Sequence, residues 1–170
     1  VGERFLTDAH ITPDVDAGTA EFKLTLDAIP AKPLFAEIEI FHEGNLVRSL
    51  RTSVTQRLTG VSVNMVDGNH LEGFHLWSPE HPHLYDVRVR LLDGVTELDE
   101  FFTYFGMRKV EVKDGWVLLN NQPLYQRLVL DQGYWPESLI TPPSDEAIVA
   151  DIEWTKKFGY NGARKHQKLE

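Results

Sequence analysis

The residues of this chain best suited to chemistry are a histidine pair and a group of polar and aromatic side chains late in the sequence. His81 and His83 flank Pro82, and two imidazoles so close together invite a metal reading. No third ligand stands at a suitable spacing, so the pair is assigned no metal. The absence of cysteine removes thiolate metal sites and disulfides together and leaves the redox compartment undetermined. Asp131, Gln132, Tyr134 and Trp135 follow the apolar run Leu128-Val129-Leu130, while Arg164 and His166 close the stretch from Tyr160 to His166. Residues in loops after strands are where binding groups concentrate. Each also has a plainer role open to it: Trp135 as loop packing beside Pro136, Arg164 as the partner of a nearby acid.

Two strands and a helix are needed to hold those positions. Leu128 to Leu130 is a continuous apolar run, as expected of a parallel strand buried on both faces. After Thr141-Pro142-Pro143, Ser144 is a good N-cap, and Asp145 and Glu146 sit where the helix dipole favours negative charge. Ile148, Ile152, Thr155 and Phe158 make one helical stripe, with Lys156 and Lys157 in the last turn and Gly159 at C′. A strand from Tyr160 to His166 completes a βαβ unit with a right-handed crossover.

Upstream, the rhythm is that of short strands. Phe22, Leu24 and Leu26 alternate with Glu21, Lys23 and Thr25; Ala36, Ile38 and Ile40 alternate with Glu37 and Glu39. Further strands are expected from Glu3 to Asp14, Leu46 to Ser53, around Val61 to Met65, His70 to Trp77, Tyr85 to Leu91 and Glu97 to Phe105. Seven or eight such strands between Gly, Pro, Asn and Asp breakers predict an antiparallel β-sandwich. The seam between the two architectures is a hairpin at Asp114-Gly115, where a type I′ turn needs φ > 0 at both central residues, followed by Asn120-Asn121-Gln122-Pro123.

The 170 residues are 42% hydrophobic and carry a formal charge of -9, with 17 basic residues interleaved among 26 acidic ones. Phosphate binding needs clustered Lys and Arg, so neither nucleic acid nor an anionic membrane is an expected partner. No apolar run reaches membrane-span length and no signal peptide is expected in these residues, while a start at Val1 rather than Met leaves room for a removed targeting segment. Localisation is undetermined, the cytoplasm being favoured.

Gly106-Met107-Arg108-Lys109, the short hairpin, Leu119-Asn120-Asn121-Gln122-Pro123-Leu124 and Arg127 resemble a passage of glycoside hydrolase family 2, the β-galactosidase, β-glucuronidase and β-mannosidase group. In that family an immunoglobulin-like sandwich leads into the catalytic (β/α)₈ barrel with a pattern close to G-x-R, hydrophobic-N-G-K-P, R-G-V. Leu76-Trp77-Ser78-Pro79 before the seam, and Ser144-Asp145-Glu146 through Arg164-Lys165-His166 after it, extend the likeness across residues 76 to 170. Leu128 stands where the family has the glycine of R-G-V, and Gly162 and Ala163 stand where it has bulkier strand residues.

The resemblance implies a mainly β chain: an immunoglobulin-like antiparallel β-sandwich over 1–108, a connecting hairpin over 109–124, and over 125–170 the first strand, helix and second strand of a truncated TIM barrel. It implies that the parent protein hydrolyses O-glycosidic bonds of β-linked sugars. Retaining glycosidases place two carboxyl groups about 5 Å apart. The family's two glutamates lie on later barrel strands, so no catalytic residue is expected here. Barrel active sites form at the C-terminal ends of the strands, which makes Asp131, Trp135, Arg164 and His166 the expected substrate-binding residues of the parent, Arg164 matching the Arg of the family's N-x-x-R. The expected partner is a carbohydrate bound by the rest of the barrel, with a homo-oligomer allowed and no cofactor or metal. The rival reading is a stand-alone carbohydrate-binding or adhesive β-sandwich with an appended βαβ motif.

Overall fold

A computed structural model describes residues 4–66 and 74–166. The chain forms two compact units: Val1–Val110 with Leu119–Asn121, and Glu111–Leu118 with Gln122–Glu170.

The first unit holds β1 (Leu6–Asp14), β2 (Thr19–Leu26), β3 (Leu34–His42), β4 (Asn45–Val54), β5 (Leu58–Asn64), β6 (Tyr85–Asp93) and β7 (Thr96–Phe105). They form a three-stranded sheet in the order β1-β2-β5 and a four-stranded sheet in the order β4-β3-β6-β7. Every pairing in both sheets is antiparallel. This is the antiparallel β-sandwich that the alternation predicts, in the immunoglobulin-like form that the resemblance implies. The period-2 pattern puts Phe22, Leu24, Leu26, Ile38, Ile40, Val87, Val89 and Leu91 in one buried cluster, and among the described residues no polar or charged residue is fully buried. The Phe22 and Phe105 rings meet edge to face at 6.2 Å.

Polar bonds stitch the two sheets at both edges. On one side the Leu6 amide donates to Asp99 Oδ2 at 2.8 Å. On the other, Arg48 on β4 donates from Nε to the Asn64 carbonyl and from Nη2 to the Met65 carbonyl, both at 2.8 Å. The solvent face of the larger sheet carries a cross-strand charge ladder: Arg90 reaches Glu37 and Arg88 reaches Glu39, each at 2.6 Å.

The strand expected over His70 to Trp77 falls partly on residues outside the described ones. In its remaining part, only Leu76 pairs, in an isolated parallel bridge to Met107. Ser78-Pro79 stops extension there: Pro79 lacks an amide proton, and the Ser78 and His81 backbones close a turn on each other. This short stretch anchors the end of the sandwich. The Trp77 amide donates to the Met107 carbonyl at 3.0 Å, and Met107 is fully buried. A Cβ on Gly106 would stand 3.0 Å from that of Trp77.

Next come the hairpin of β8 (Val110–Lys113) and β9 (Trp116–Leu119), whose end residues Val110 and Leu119 belong to the first unit, and β10 (Gln122–Pro123) beside β9. Asp114 and Gly115 both have positive φ, 50° and 79°, as the I′ reading requires. Then come β11 (Leu128–Asp131), α1 (Asp145–Lys157) and β12 (Gly162–Lys165). β11 and β12 pair in parallel, Leu128 opposite Gly162 and Leu130 opposite Arg164. Ser144 caps α1 by accepting from the Ala147 amide, and Gly159 takes the left-handed C′ conformation at φ 83°. The helix stripe is correctly placed in sequence, yet no residue of α1 is buried.

Candidate functional site

Of the expected site residues, Asp131 ends β11, Arg164 lies within β12 and His166 follows it, while Trp135 stands in the loop after β11. Asp131 ends β11 with its carboxylate divided between two partners: Oδ1 accepts from the Gly133 amide at 2.7 Å, and Oδ2 pairs with Lys165 Nζ at 2.9 Å. The first bond is an Asx turn that starts the following loop. The backbone carries the parallel ladder one step further, since the His166 amide donates to the Asp131 carbonyl at 2.9 Å. His166 is half-buried just past β12, and Arg164 lies exposed two residues before it.

Side-chain alternation separates these residues. Arg164 shares a face of the two-stranded sheet with Leu128, Leu130 and Gly162, whereas Asp131 shares the other face with Val129, Ala163 and Lys165. The Arg164–Leu130 face stays flat because Gly162 has no side chain; a Cβ there would meet Leu128 Cδ2 at 2.8 Å. Trp135 is half-buried, held by a two-way backbone bridge to Leu139, 2.7 and 3.0 Å, that closes the Pro136–Ser138 turn.

Arg127 serves the opposite end of the strands. Its Nε donates to the Gly159 carbonyl at 2.7 Å, its amide donates to Asn161 Oδ1 at 2.7 Å, and Asn161 Nδ2 donates to the Tyr125 carbonyl at 2.8 Å. Arg127 and Asn161 together brace the amino ends of β11 and β12.

In the sandwich unit, a cavity of about 630 Å³ is lined by Asp14, Asp16, Glu21, Gly60 and Lys109 among others. Two of its acids are engaged in structure: Asp14 accepts from the Ala17 amide at 2.9 Å, while Asp16 pairs with Lys109 Nζ and with Asn121 Nδ2, both at 2.7 Å. The Lys109 and Asn121 hydrogen bonds hold the Asp16 carboxyl below its ordinary value.

One arrangement was not visible in the sequence. His83, set aside there for want of a third ligand, finds partners on other segments. Donor atoms of His42, Glu43 and His83 all lie within 4.8 Å of one another. His75 stacks on His42 with ring centroids 4.5 Å apart and lies 4.8 Å from His83. Burial, then the neighbouring His75, pushes the His42 pKa down, and burial pushes the Tyr85 phenol up. The signal is unreadable from spacing because antiparallel pairing of β3 with β6, Phe41 opposite Asp86, is what joins the segments.

An immunoglobulin-like sandwich followed by a hairpin and a βαβ unit, with polar residues at the carboxyl ends of parallel strands, defines a class of multidomain α/β and β architecture. The sequence model of Glycosyl hydrolases family 2 matches residues 4–108. The chain belongs to that family. It is similar to a β-galactosidase of Photobacterium profundum, 32% identical over 94% of this chain, and to one of Vibrio vulnificus strain YJ016, 31% identical over 94%. The chain spans 16% of the length of each of these curated relatives. Its fold matches a β-glycosidase from Bacteroides vulgatus, with TM-score 0.74 and 19% identity over 96% of this chain and 21% of that one. It also matches a GH2 β-galacturonidase from Eisenbergiella tayi bound to galacturonate, with TM-score 0.73 and 20% identity over the whole of this chain and 30% of that one.

Proposed function

We propose that this chain is the sandwich and barrel onset of a longer family 2 glycoside hydrolase that cleaves O-glycosidic bonds of β-linked sugars, β-galactosides first among them. Residues 1–108 act as the sandwich, 109–124 as the connecting hairpin, and 125–170 as the first strand, helix and second strand of the barrel. The chain itself supplies scaffold and one edge of the sugar pocket, not the catalytic carboxylate pair. β-Galactoside is preferred because both relatives cited above carry that name and match across both units.

The observation that carries this reading is the state of β11, α1 and β12. Two parallel strands form their own small sheet, and around them Leu130 is 53% exposed, Ile152 51% and Phe158 74%. Parallel strands occur in sheets covered on both faces, and apolar area left in water costs about 25 cal/mol per Å². Further βα units would add strands and helices to these surfaces, as a barrel does. A stand-alone adhesive module offers nothing to cover them.

In the complete pocket Arg164 donates to sugar hydroxyls from the end of β12, Trp135 offers its indole face to a sugar ring, and Asp131 and His166 complete the polar edge. The ligand is carbohydrate rather than nucleic acid or membrane, and self-association falls to the parent protein. The test is to read the coding sequence past Glu170 and assay its whole product on nitrophenyl β-galactoside, β-glucuronide and β-mannoside. Further βα units with an Asn-Glu pair and turnover of a β-glycoside are expected; an immediate stop codon would establish the stand-alone reading instead.

A further inference from the structure

We infer that His42, Glu43 and His83 form a binding site for a divalent transition metal of the zinc type, in which the metal clasps the β3–β4 turn to the segment leading into β6. Nothing in this inference depends on the glycosidase reading.

The residues come from rigid and adjustable parts in a useful combination. His42 is the last residue of β3 and pairs with Asn45 across the hairpin. Glu43 occupies the exposed turn between them with φ 51°. His83 lies two residues before Tyr85, the buried first residue of β6. Since β3 and β6 are hydrogen-bonded neighbours with Phe41 opposite Asp86, the sandwich core fixes the approach of the two histidine-bearing segments.

The surroundings hold the rings at close range. The His42 ring centroid is 5.1 Å from that of Tyr85 and 5.5 Å from that of His83. The Tyr85 hydroxyl accepts from the His75 amide at 2.7 Å, which sets the His75 imidazole against both other rings. Among the described residues, no hydrogen bond reaches the side chains of His42, His75 or His83, so three imidazoles are gathered without a protein acceptor or donor to account for their nitrogens. No nitrogen of His42 or His83 is both buried and unbonded among the described residues, and His75 is exposed, so a cation arriving from solvent can reach these rings.

The donor set selects the ion. Two imidazole nitrogens and one carboxylate suit Zn²⁺, Ni²⁺ or Cu²⁺, whereas Mg²⁺ and Ca²⁺ call for oxygen ligands throughout. A tetrahedral zinc ion with bonds of about 2.0–2.1 Å needs donors roughly 3.4 Å apart. The present separations, all within 4.8 Å, close to that by rotation of the exposed Glu43 side chain and small ring shifts. The fourth position is open to water or to His75.

The test uses the 170-residue chain stripped with a chelator and titrated with Co²⁺ as a spectroscopic probe and with Zn²⁺ by calorimetry. One equivalent of metal is expected to bind saturably, with visible Co²⁺ bands of a four-coordinate site and shifted imidazole NMR signals of His42 and His83. His83→Gln is expected to weaken binding by at least about tenfold, and His81→Gln to leave it unchanged. Lack of saturable binding to the folded wild-type chain would overturn the inference, as would binding that shifts other histidines and leaves His42 and His83 unmoved. The NMR readout on the wild-type chain decides the matter even if a variant fails to fold.

Discussion

The guanidinium of Arg108 lies 4.9 Å over the indole ring of Trp77, within the range of a cation–π contact. That ring is also the one against which Gly106 packs. Asn120 returns to the same point, donating from Nδ2 to the Trp77 carbonyl at 2.9 Å while its Oδ1 accepts from the Lys109 amide at 3.0 Å. The Gly-Met-Arg-Lys run and the Leu-Asn-Asn turn, well separated in sequence, thus converge on one tryptophan.

Trp77→Ala is therefore expected to destabilise the sandwich by about 2 kcal/mol, below the value for a fully buried aromatic because the ring is half-exposed. Arg108→Ala should cost only about 0.5–1 kcal/mol. Gly106→Ala should cost about 1–3 kcal/mol by overpacking against the ring. Urea denaturation of the three variants checks the order, and an Arg108 effect equal to that of Trp77 would contradict it.

Phe22 sits at the centre of the sandwich core with no exposed surface. Phe22→Ala is expected to cost about 3–5 kcal/mol, whereas Val95→Ala, at a turn position 95% exposed, should stay within about 0.5 kcal/mol of the parent. Thermal unfolding separates the two outcomes.

Asp16 provides the pH dependence. Its carboxyl is held below the ordinary 3.8 by the Lys109 hydrogen bond first and that of Asn121 second. A depressed carboxylate pKa contributes stability that is complete above the unfolded value, and loses it as the pH falls through the folded one. The carboxyl carbon of Asp16 should accordingly titrate with a midpoint below 3.8, and Asp16→Asn should flatten the acid limb of the stability curve in that window. A midpoint at or above 3.8 would show that the Lys109 contact does not form in solution.

Arg127 and Arg164 should part company in the longer hydrolase. Arg127→Ala removes the brace to Gly159 and is expected to lower stability by about 1 kcal/mol, with kinetics little changed. Arg164→Ala, at the carboxyl end of β12, should raise KM for a β-galactoside about tenfold or more at unchanged folding stability. Steady-state kinetics beside thermal melts distinguish them, and the reverse pattern would exchange their roles.

How much of this was legible in the sequence follows from which interactions are local. Alternation in Phe22-Lys23-Leu24-Thr25-Leu26 dictates which face is buried, because a strand has only two faces. Asp114-Gly115 specifies its turn because few other residues adopt φ > 0 at low cost, and Ser144 caps α1 through an amide three residues away. The apolar stripe of α1 named the face suited to burial, but periodicity carries no information on what covers it. The strand expected before Trp77 reduced to the single Leu76 bridge, since Met107 is a partner no local pattern reveals. His42 and His83 meet only through sheet register, so spacing along the chain concealed them. That Asp131 closes the first parallel strand and that Arg164 and His166 fall at the end of the second was readable once the βαβ unit was recognised, whereas the Asp131–Lys165 ion pair needed the parallel register.

The central claim is that these residues scaffold a β-glycosidase without performing its chemistry. Hydrolysis of nitrophenyl β-galactoside by the 170-residue chain, measured side by side with the whole product of its reading frame, tests this most directly. The account predicts turnover by the longer product and none by the 170-residue chain. Turnover that copurifies with the 170-residue chain through two successive columns would contradict it.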